Sequence, residues 1–407
     1  MEKDNKTNND VKKEGEEKDF FDDTDMGSNW DETVENFDEL NIKTDLLRGI
    51  FAYGFDKPSS IQQRAILPII KGRDVIAQAQ SGSGKTGTFV IGSLELIDVT
   101  KLEVQALVLA PTRELAQQIY NVYTYIGEFL KIKVLNLIGG TAVRDSKNAL
   151  ENGVHVVVGS PGRVLDMLKK NHLKLAYLKC LILDEADDLL SKGFLENMKD
   201  IISLIPPECR INLFSATMPK EIVNLSSNFM NDPAKILVKN EELTLLGIKQ
   251  YYITLKKEWK LETLMNLYKG LDISQAIIFC NSINGTENLT TDMRSKGHKV
   301  SCIHSGLPMN ERAKVMSEFR SGVTRVLIST DLTARGIDVY NVSIVINYDL
   351  PTQKETYIHR IGRSGRFGKK GNAINFILPE EKDQLDMIQK FYDTHIEQLP
   401  QDLSEIK

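Results

Sequence analysis

Four cysteines are all that the 407 residues carry: Cys180, Cys209, Cys280 and Cys302, widely spaced and with no Cys-x-x-Cys pair. That excludes a disulfide framework and a thiol-ligated zinc site, and fits buried thiols in a reducing compartment. No apolar run approaches the roughly 20 residues of a membrane span, and the N-terminus lacks a signal peptide's apolar region. Net positive charge is missing too. The formal charge is −5, which argues against a nucleic-acid binder until its distribution is examined. Residues 1–39 hold 15 Asp/Glu against 5 Lys/Arg, a net of about −10, so the remainder stands at about +5. The acidic part is expected to be a disordered tail, residues 1–34, with order beginning near Trp30 and Phe37. The body is left mildly basic and able to contact phosphate.

What is present is organised around Ala79-Gln80-Ser81-Gly82-Ser83-Gly84-Lys85-Thr86. An apolar run, Asp74-Val75-Ile76-Ala77, precedes it as a short buried strand, and a helical segment follows from Thr86 to Leu96. Strand, glycine turn and helix in that order form a phosphate-binding loop: glycines admit the phosphates to the backbone, and the N–H groups of the new helix face the anion. Lys85 neutralises the outer phosphates in such a loop, and the Thr86 hydroxyl sits on Mg²⁺. The general pattern has Gly where Ala79 stands, which leaves the subtype open at this point.

From there apolar runs alternate with amphipathic segments. Strands are expected at Ala106–Leu109, Val134–Ile138, His155–Val158, Cys180–Leu183, Ile211–Phe214 and Lys235–Val238, with helices such as Arg113–Leu130 and Arg163–Lys169 between them. Residues 239–249 read as a linker. The alternation then resumes, with strands at Ala276–Phe279, Val300–Ile303, Val326–Ser329, Ser343–Asn347 and Ala373–Leu378. The pattern predicts two α/β domains with doubly wound parallel sheets, residues 35–238 and 250–407. The second half has no phosphate loop of its own, so one nucleotide site completed across a cleft is expected.

Asp184-Glu185-Ala186-Asp187 directly follows the buried run Leu181-Ile182-Leu183, at a strand's C-terminal end where ligands bind in open α/β sheets. Asp184 is a candidate Mg²⁺ ligand and Glu185 a candidate for orienting or deprotonating an attacking water.

With these residues the chain resembles the DEAD-box RNA helicases, whose name spells residues 184–187. The resemblance covers roughly residues 35 to 400. Gly54-Phe55-Asp56-Lys57-Pro58-Ser59-Ser60-Ile61-Gln62 is similar to the family's Q motif, with Phe37 as its upstream aromatic, and the family carries Ala at the position of Ala79. Pro111-Thr112-Arg113-Glu114-Leu115, Gly139-Gly140 and Ser160-Pro161-Gly162-Arg163 resemble its RNA motifs, and Ser215-Ala216-Thr217 its coupling motif. Thr330-Asp331 through Asp338 and His359 through Arg366 resemble its fifth and sixth motifs.

The resemblance implies ATP and Mg²⁺ as cofactors, two RecA-like domains, and a role for each motif. Gln62 reads the adenine edge, Phe37 packs on the base and Lys57 assists at the rim; Asp338 contacts the ribose. Arg363 and Arg366 act as arginine fingers on the transferring phosphoryl group. His359 links the sixth motif to the DEAD carboxylates and to Ser215 and Thr217. Pro111, Thr112, Arg113, Gly140, Ser160, Arg163, Thr330 and Asp331 hold RNA by its backbone, largely independently of sequence. Ser83 and Ser160 stand where the family usually has Thr, and residues 280–285 lack basic residues common in relatives.

Within the family, Trp30-Asp31-Glu32, Leu46–Ile50, Glu242–Leu245 and Ile346–Pro351 resemble the initiation-factor-4A branch. That implies a cytoplasmic, RNA-stimulated helicase of translation initiation, monomeric alone and served by scaffold proteins. The alternative is a nuclear ATP-gated RNA clamp of the exon-junction type.

Overall fold

The computed structural model describes residues 28–191, 193–237, 247–271, 274–335, 342–365 and 370–403. Short runs of Val, Ile, Leu and Ala, buried on both faces, form the strands, as parallel sheets covered by helices require. In the first half these are β1 Val75–Gln78, β2 Ala106–Leu109, β3 Val134–Leu137, β4 Val156–Gly159, β5 Cys180–Asp184, β6 Arg210–Ser215 and β7 Ala234–Ile236. They lie in the order β3-β4-β2-β5-β6-β1-β7, and every pair is parallel. The second half holds β8 Ile248–Thr254, β9 Ala276–Phe279, β10 Val300–Ile303, β11 Val326–Ser329, β12 Ile344–Asn347, β13 Gly371–Ile377 and β14 Glu397–Gln398. Their order is β10-β11-β9-β12-β13-β8-β14, again all parallel. Counted from its own first strand, the second sheet repeats the order of the first.

Each sheet carries apolar cores on its two faces. In the first, Val75, Ala77 and Val108 pack toward one helical layer, and Ile76, Leu107 and Leu109 toward the other. Helix Lys85–Leu96 springs from the loop after β1. Two lysines close its other end: Lys43 donates to the carbonyls of Glu95 and Ile97, and Lys179 to that of Leu96. Cations at the C-terminus complement the helix dipole while its N-terminus is left to face an anion.

Two expected boundaries are corrected. Residues 28–34 belong to the first domain rather than to a tail. Asn29 N donates to Lys235 O, Ser28 and Leu237 bond reciprocally, Val34 N donates to Gln63 O, and Trp30 is buried beneath Lys71 and Arg73. The rest of the expected tail, residues 1–27, lies outside the described residues. The linker expected over 239–249 ends sooner, because β8 begins at Ile248 and pairs with β13 along its whole length; residues 239–246 lie outside the described residues. Among the described residues, no helix is long and apolar enough to cross a membrane.

Candidate active site

The loop between β1 and helix Lys85–Leu96 turns on Gly82 and Gly84, at φ of +80° and +102°, a region that costs other residues a clash of Cβ with backbone. Lys85, buried, lies along the loop and donates to Ala79 O at 2.7 Å and Gln80 O at 3.1 Å. Thr86, half-buried, opens the helix beside it.

Next to this loop β5 ends in Asp184, whose Oδ1 accepts from Glu185 N at 3.1 Å. Glu185 sits in the left-handed region at φ +53°, a strained conformation for a side-chain-bearing residue. Both carboxylates are buried, and among the described residues Glu185 Oε2 has no hydrogen-bond partner. Burial first, and the Glu185 charge second, push the Asp184 carboxyl up to about 7.

The second half arrives on helix Lys354–Ile361 and the turn after it. His359 Nδ1 lies 3.6 Å from Glu185 Oε2, and its Nε2 lies 3.2 Å from both Asp187 Oδ2 and Thr217 Oγ1. Asp187 also accepts from Ser215 Oγ at 2.6 Å, Thr217 Oγ1 at 2.7 Å and Arg335 at 2.5 Å. Burial acts to raise the Asp187 carboxyl, but the charges of Arg335 and His359 outweigh it and hold it well below the usual range. Arg363 is buried, which lowers its guanidinium to about 10; it is anchored to His359 O at 3.1 Å and reaches across the cleft to donate to Ser81 Oγ in the phosphate loop. The cleft is therefore closed. Lys85, Asp184, Glu185, Ser215, Thr217, His359 and Arg363 are brought together here. Arg366 and Asp338 lie outside the described residues.

Mg²⁺ fits the first domain's donor set. Thr86 and Asp184 offer hard oxygen ligands, and the unfavourable charge of buried Asp184 is what a divalent cation would relieve. Glu185, Asp187 and His359 also bring ligand atoms within 4.8 Å of one another. Both Asp187 oxygens are already committed to protein donors, so this trio is a link across the cleft rather than a metal centre.

Gln62 is buried and caps its own helix, Oε1 accepting from Ser59 N at 2.8 Å, while Nε2 points at Gly84 O at 3.4 Å. It thus stands against the phosphate loop, with Lys57 exposed at the rim. Phe37 is not brought to the loop: it is 1% exposed, faced by Phe51 edge-on and by Phe55. The ring bordering Gln62 is Phe55. A Cβ added at Gly87 would lie 2.8 Å from Phe55 and 2.7 Å from Gln62. Phe37 backs Phe55 because the core recruits its ring.

The expected RNA residues follow β2, β3 and β4 in one half and β11 in the other, the same side of each repeated sheet. Pro111 is buried, Thr112 caps helix Arg113–Ile126 by accepting from Leu115 N, and the Arg113 guanidinium lies against Gly139 and exposed Gly140. Ser160 precedes helix Pro161–Lys169, and Arg163 donates to Thr141 O at 2.9 Å. Thr330 is half-buried, and Asp331 is held by a bidentate pair with Arg360. Sequence reasoning missed Asp187 as the hub joined to Arg335, and missed Arg360 as the partner of Asp331 and Phe55 as the ring beside Gln62. The signal for Asp187 was Ser215-x-Thr217, two hydroxyls at the end of the neighbouring strand that need an acceptor once buried.

The two-sheet architecture with one phosphate loop, closed by arginine from the other half, defines a tandem RecA-like ATPase of the helicase type. The DEAD/DEAH box helicase pattern matches residues 59–225, and the helicase conserved C-terminal domain matches residues 259–368. The chain belongs to the DEAD-box ATP-dependent RNA helicase family. It is 54% identical over 380 residues to the ATP-dependent RNA helicase eIF4A of Pyricularia oryzae, covering 93% of this chain and 96% of that one. It is 53% identical over 392 residues to eukaryotic initiation factor 4A-9 of Nicotiana tabacum, covering 96% and 94%. In structure it is similar to S. cerevisiae Dbp5 bound to RNA and ADP BeF3, with a TM-score of 0.85, 36% identity, and coverage of 91% and 97%.

Proposed function

We propose that this protein is an RNA-stimulated ATP hydrolase that separates short RNA duplexes locally, acting in translation initiation as factor-4A proteins do. The observation that carries the reading is the bond from Arg363 of the second domain to Ser81 in the first domain's phosphate loop. A phosphoryl group bound in that loop meets charge from both halves only when the cleft is shut.

In this mechanism Gln62 pairs the adenine edge beside Phe55, and Lys85 exchanges its loop carbonyls for the outer phosphates of ATP. Glu185, held by its strained backbone, orients the attacking water and takes its proton. Mg²⁺, held by Thr86 and Asp184, neutralises phosphate charge when bound. Arg363 stabilises charge on the transferring group, with Arg366 assigned the same task and Asp338 the ribose. RNA lies across Thr112, Arg113, Gly140, Ser160, Arg163, Thr330 and Asp331 by its backbone. Because these loops come from both halves, RNA binding and cleft closure favour each other. Closure bends one strand and disrupts a short duplex; hydrolysis and phosphate release reopen the cleft. The factor-4A likeness further supports a cytoplasmic protein working with initiation scaffolds.

The test is ATP turnover with and without single-stranded RNA, with single-stranded DNA as control. RNA-specific stimulation is expected, together with loss of turnover in Lys85→Ala, Glu185→Gln and Arg363→Ala. Equal turnover with and without RNA overturns the reading. Absent turnover with tight joint binding of RNA and an ATP analogue replaces it with the clamp.

A further inference from the structure

Helix Lys354–Ile361 has two working faces. One looks across the cleft through His359, with Arg363 following in the next turn. The other, three residues apart at Tyr357 and Arg360, points into the second domain, and both side chains are fully buried. Every N–H of the Arg360 guanidinium finds an acceptor: Asp331 Oδ1 at 2.5 Å and Oδ2 at 3.1 Å, Asp349 O at 2.7 Å, Asn281 Oδ1 at 2.7 Å and Asn347 Oδ1 at 3.3 Å. From Asn347 the bonding continues. Its amide donates to Asn375 Oδ1 at 2.7 Å, and Asn375 donates to Tyr357 Oη at 3.3 Å and to Tyr251 O at 2.9 Å. Tyr357 Oη donates to Gln250 Oε1 at 2.7 Å, and Gln250 donates to Thr394 Oγ1 at 2.9 Å.

The chain thus runs from Asp331 on the RNA side, under the helix, across the adjacent strands β12, β13 and β8, to the segment after helix Lys382–Tyr392. Asn347, Asn375, Tyr357 and Arg360 are all without solvent contact. A buried polar network with every member partnered fixes one geometry, because any shift strands a desolvated donor or acceptor. An apolar interface at the same place would let the helix slide.

We propose that Tyr357 is a positioning residue. Acting through Asn375, Asn347 and Arg360, it locks the helix that carries His359 to the loop that carries Asp331, so that RNA contact at that loop sets the placement of Arg363. The proposal rests on the RNA-dependent reading above and adds the route within the second domain.

The test compares full-length wild type, Tyr357→Phe and Thr290→Val. Tyr357→Phe removes only the hydroxyl. Thr290→Val removes a buried hydroxyl of the same domain that bonds Thr286 O, off the route. Two readouts are taken: RNA-stimulated ATP turnover, and amide hydrogen exchange of residues 326–335 and 354–365 without RNA. In Tyr357→Phe, stimulated kcat is expected to fall about three- to tenfold, the effect of one buried hydrogen bond, with KM for ATP unchanged. Both segments are expected to exchange faster together, and in Thr290→Val neither is. If wild type lacks RNA stimulation, the functional reading fails while the coupled exchange still supports the lock. Independent exchange of the two segments, or a Tyr357→Phe protein matching Thr290→Val in both readouts, overturns it.

Discussion

Arg312 of the second domain and Glu114 of the first form a buried ion pair away from the nucleotide loop. Arg312 Nε donates to Glu114 Oε1 at 2.7 Å, and the side chains are only 6% and 11% exposed. Glu114 adjoins Arg113, and Arg312 lies on helix Met309–Arg320, so the pair closes the cleft at its RNA side. Removing one partner leaves the other charge buried and unpaired in the closed form alone, at about 3–5 kcal/mol. Arg312→Ala is expected to lower RNA-stimulated turnover at least tenfold and raise the RNA concentration for half-stimulation. The exchange Glu114→Arg with Arg312→Glu should recover part of it. Steady-state ATPase titrated with RNA decides; a titration unchanged from wild type rejects the latch.

Gly140 stands at the same seam. Its φ is +92°, and a Cβ there would lie 3.3 Å from Arg113 Nη1 and 3.4 Å from Met309 Sδ of the other domain. Gly140→Ala adds left-handed strain of about 1–2 kcal/mol and crowds both neighbours. RNA affinity with a non-hydrolysable ATP analogue is expected to drop several-fold, with little change in ATP affinity. Gly193→Ala, whose Cβ would meet nothing within 4 Å, is the control. RNA titrations followed by fluorescence anisotropy separate the two.

The strands and phosphate loop were legible because β1, β2, β4, β5 and β6 are apolar runs closed by turn or charged residues. Helix Lys354–Ile361 was not. Tyr357 through Ile361 are all buried, so no polar face gives it helical periodicity, and its Arg and His read as surface until their acceptors are known. β8 was lost for a related reason: Lys249, Gln250 and Thr254 interrupt its apolar residues, and Gln250 is buried only because Tyr357 and Thr394 partner it. Phe37 went the other way, since composition does not distinguish a ring on a base from a ring behind one.

The cysteines give a pH-dependent prediction. Burial pushes the thiols of Cys180 and Cys280 up to about 12 from an ordinary 9.0, and raises Cys209 and half-buried Cys302 as well. At pH 8 the thiolate fraction of the first two falls from roughly a tenth to about one in ten thousand. Labelling of the native protein is expected to reach Cys302 first, with all four reacting only on unfolding. Because the folded values lie above the unfolded ones, this contribution to stability is full below pH 9 and is lost as pH rises toward 12. Urea midpoints measured between pH 8 and pH 11 should fall accordingly.

Asn212 lies on β6 between β1 and β5, with no solvent contact, and neither end of its amide has a hydrogen-bond partner among the described residues. It shares its sheet face with Phe214, which packs on Phe89 in the apolar layer under the phosphate-loop helix. A buried, unpaired amide costs about 1–3 kcal/mol, and Leu keeps the same branched heavy-atom skeleton as Asn without its polar atoms. Asn212→Leu is therefore expected to stabilise the first domain by about 1–2 kcal/mol, visible as a raised Tm in calorimetry. Turnover should stay within twofold of wild type, since Asn212 contacts none of the phosphate-loop residues by hydrogen bond. A Tm lowered by the substitution would show that the amide is satisfied in solution and that Asn212 is a structural polar residue of the sheet.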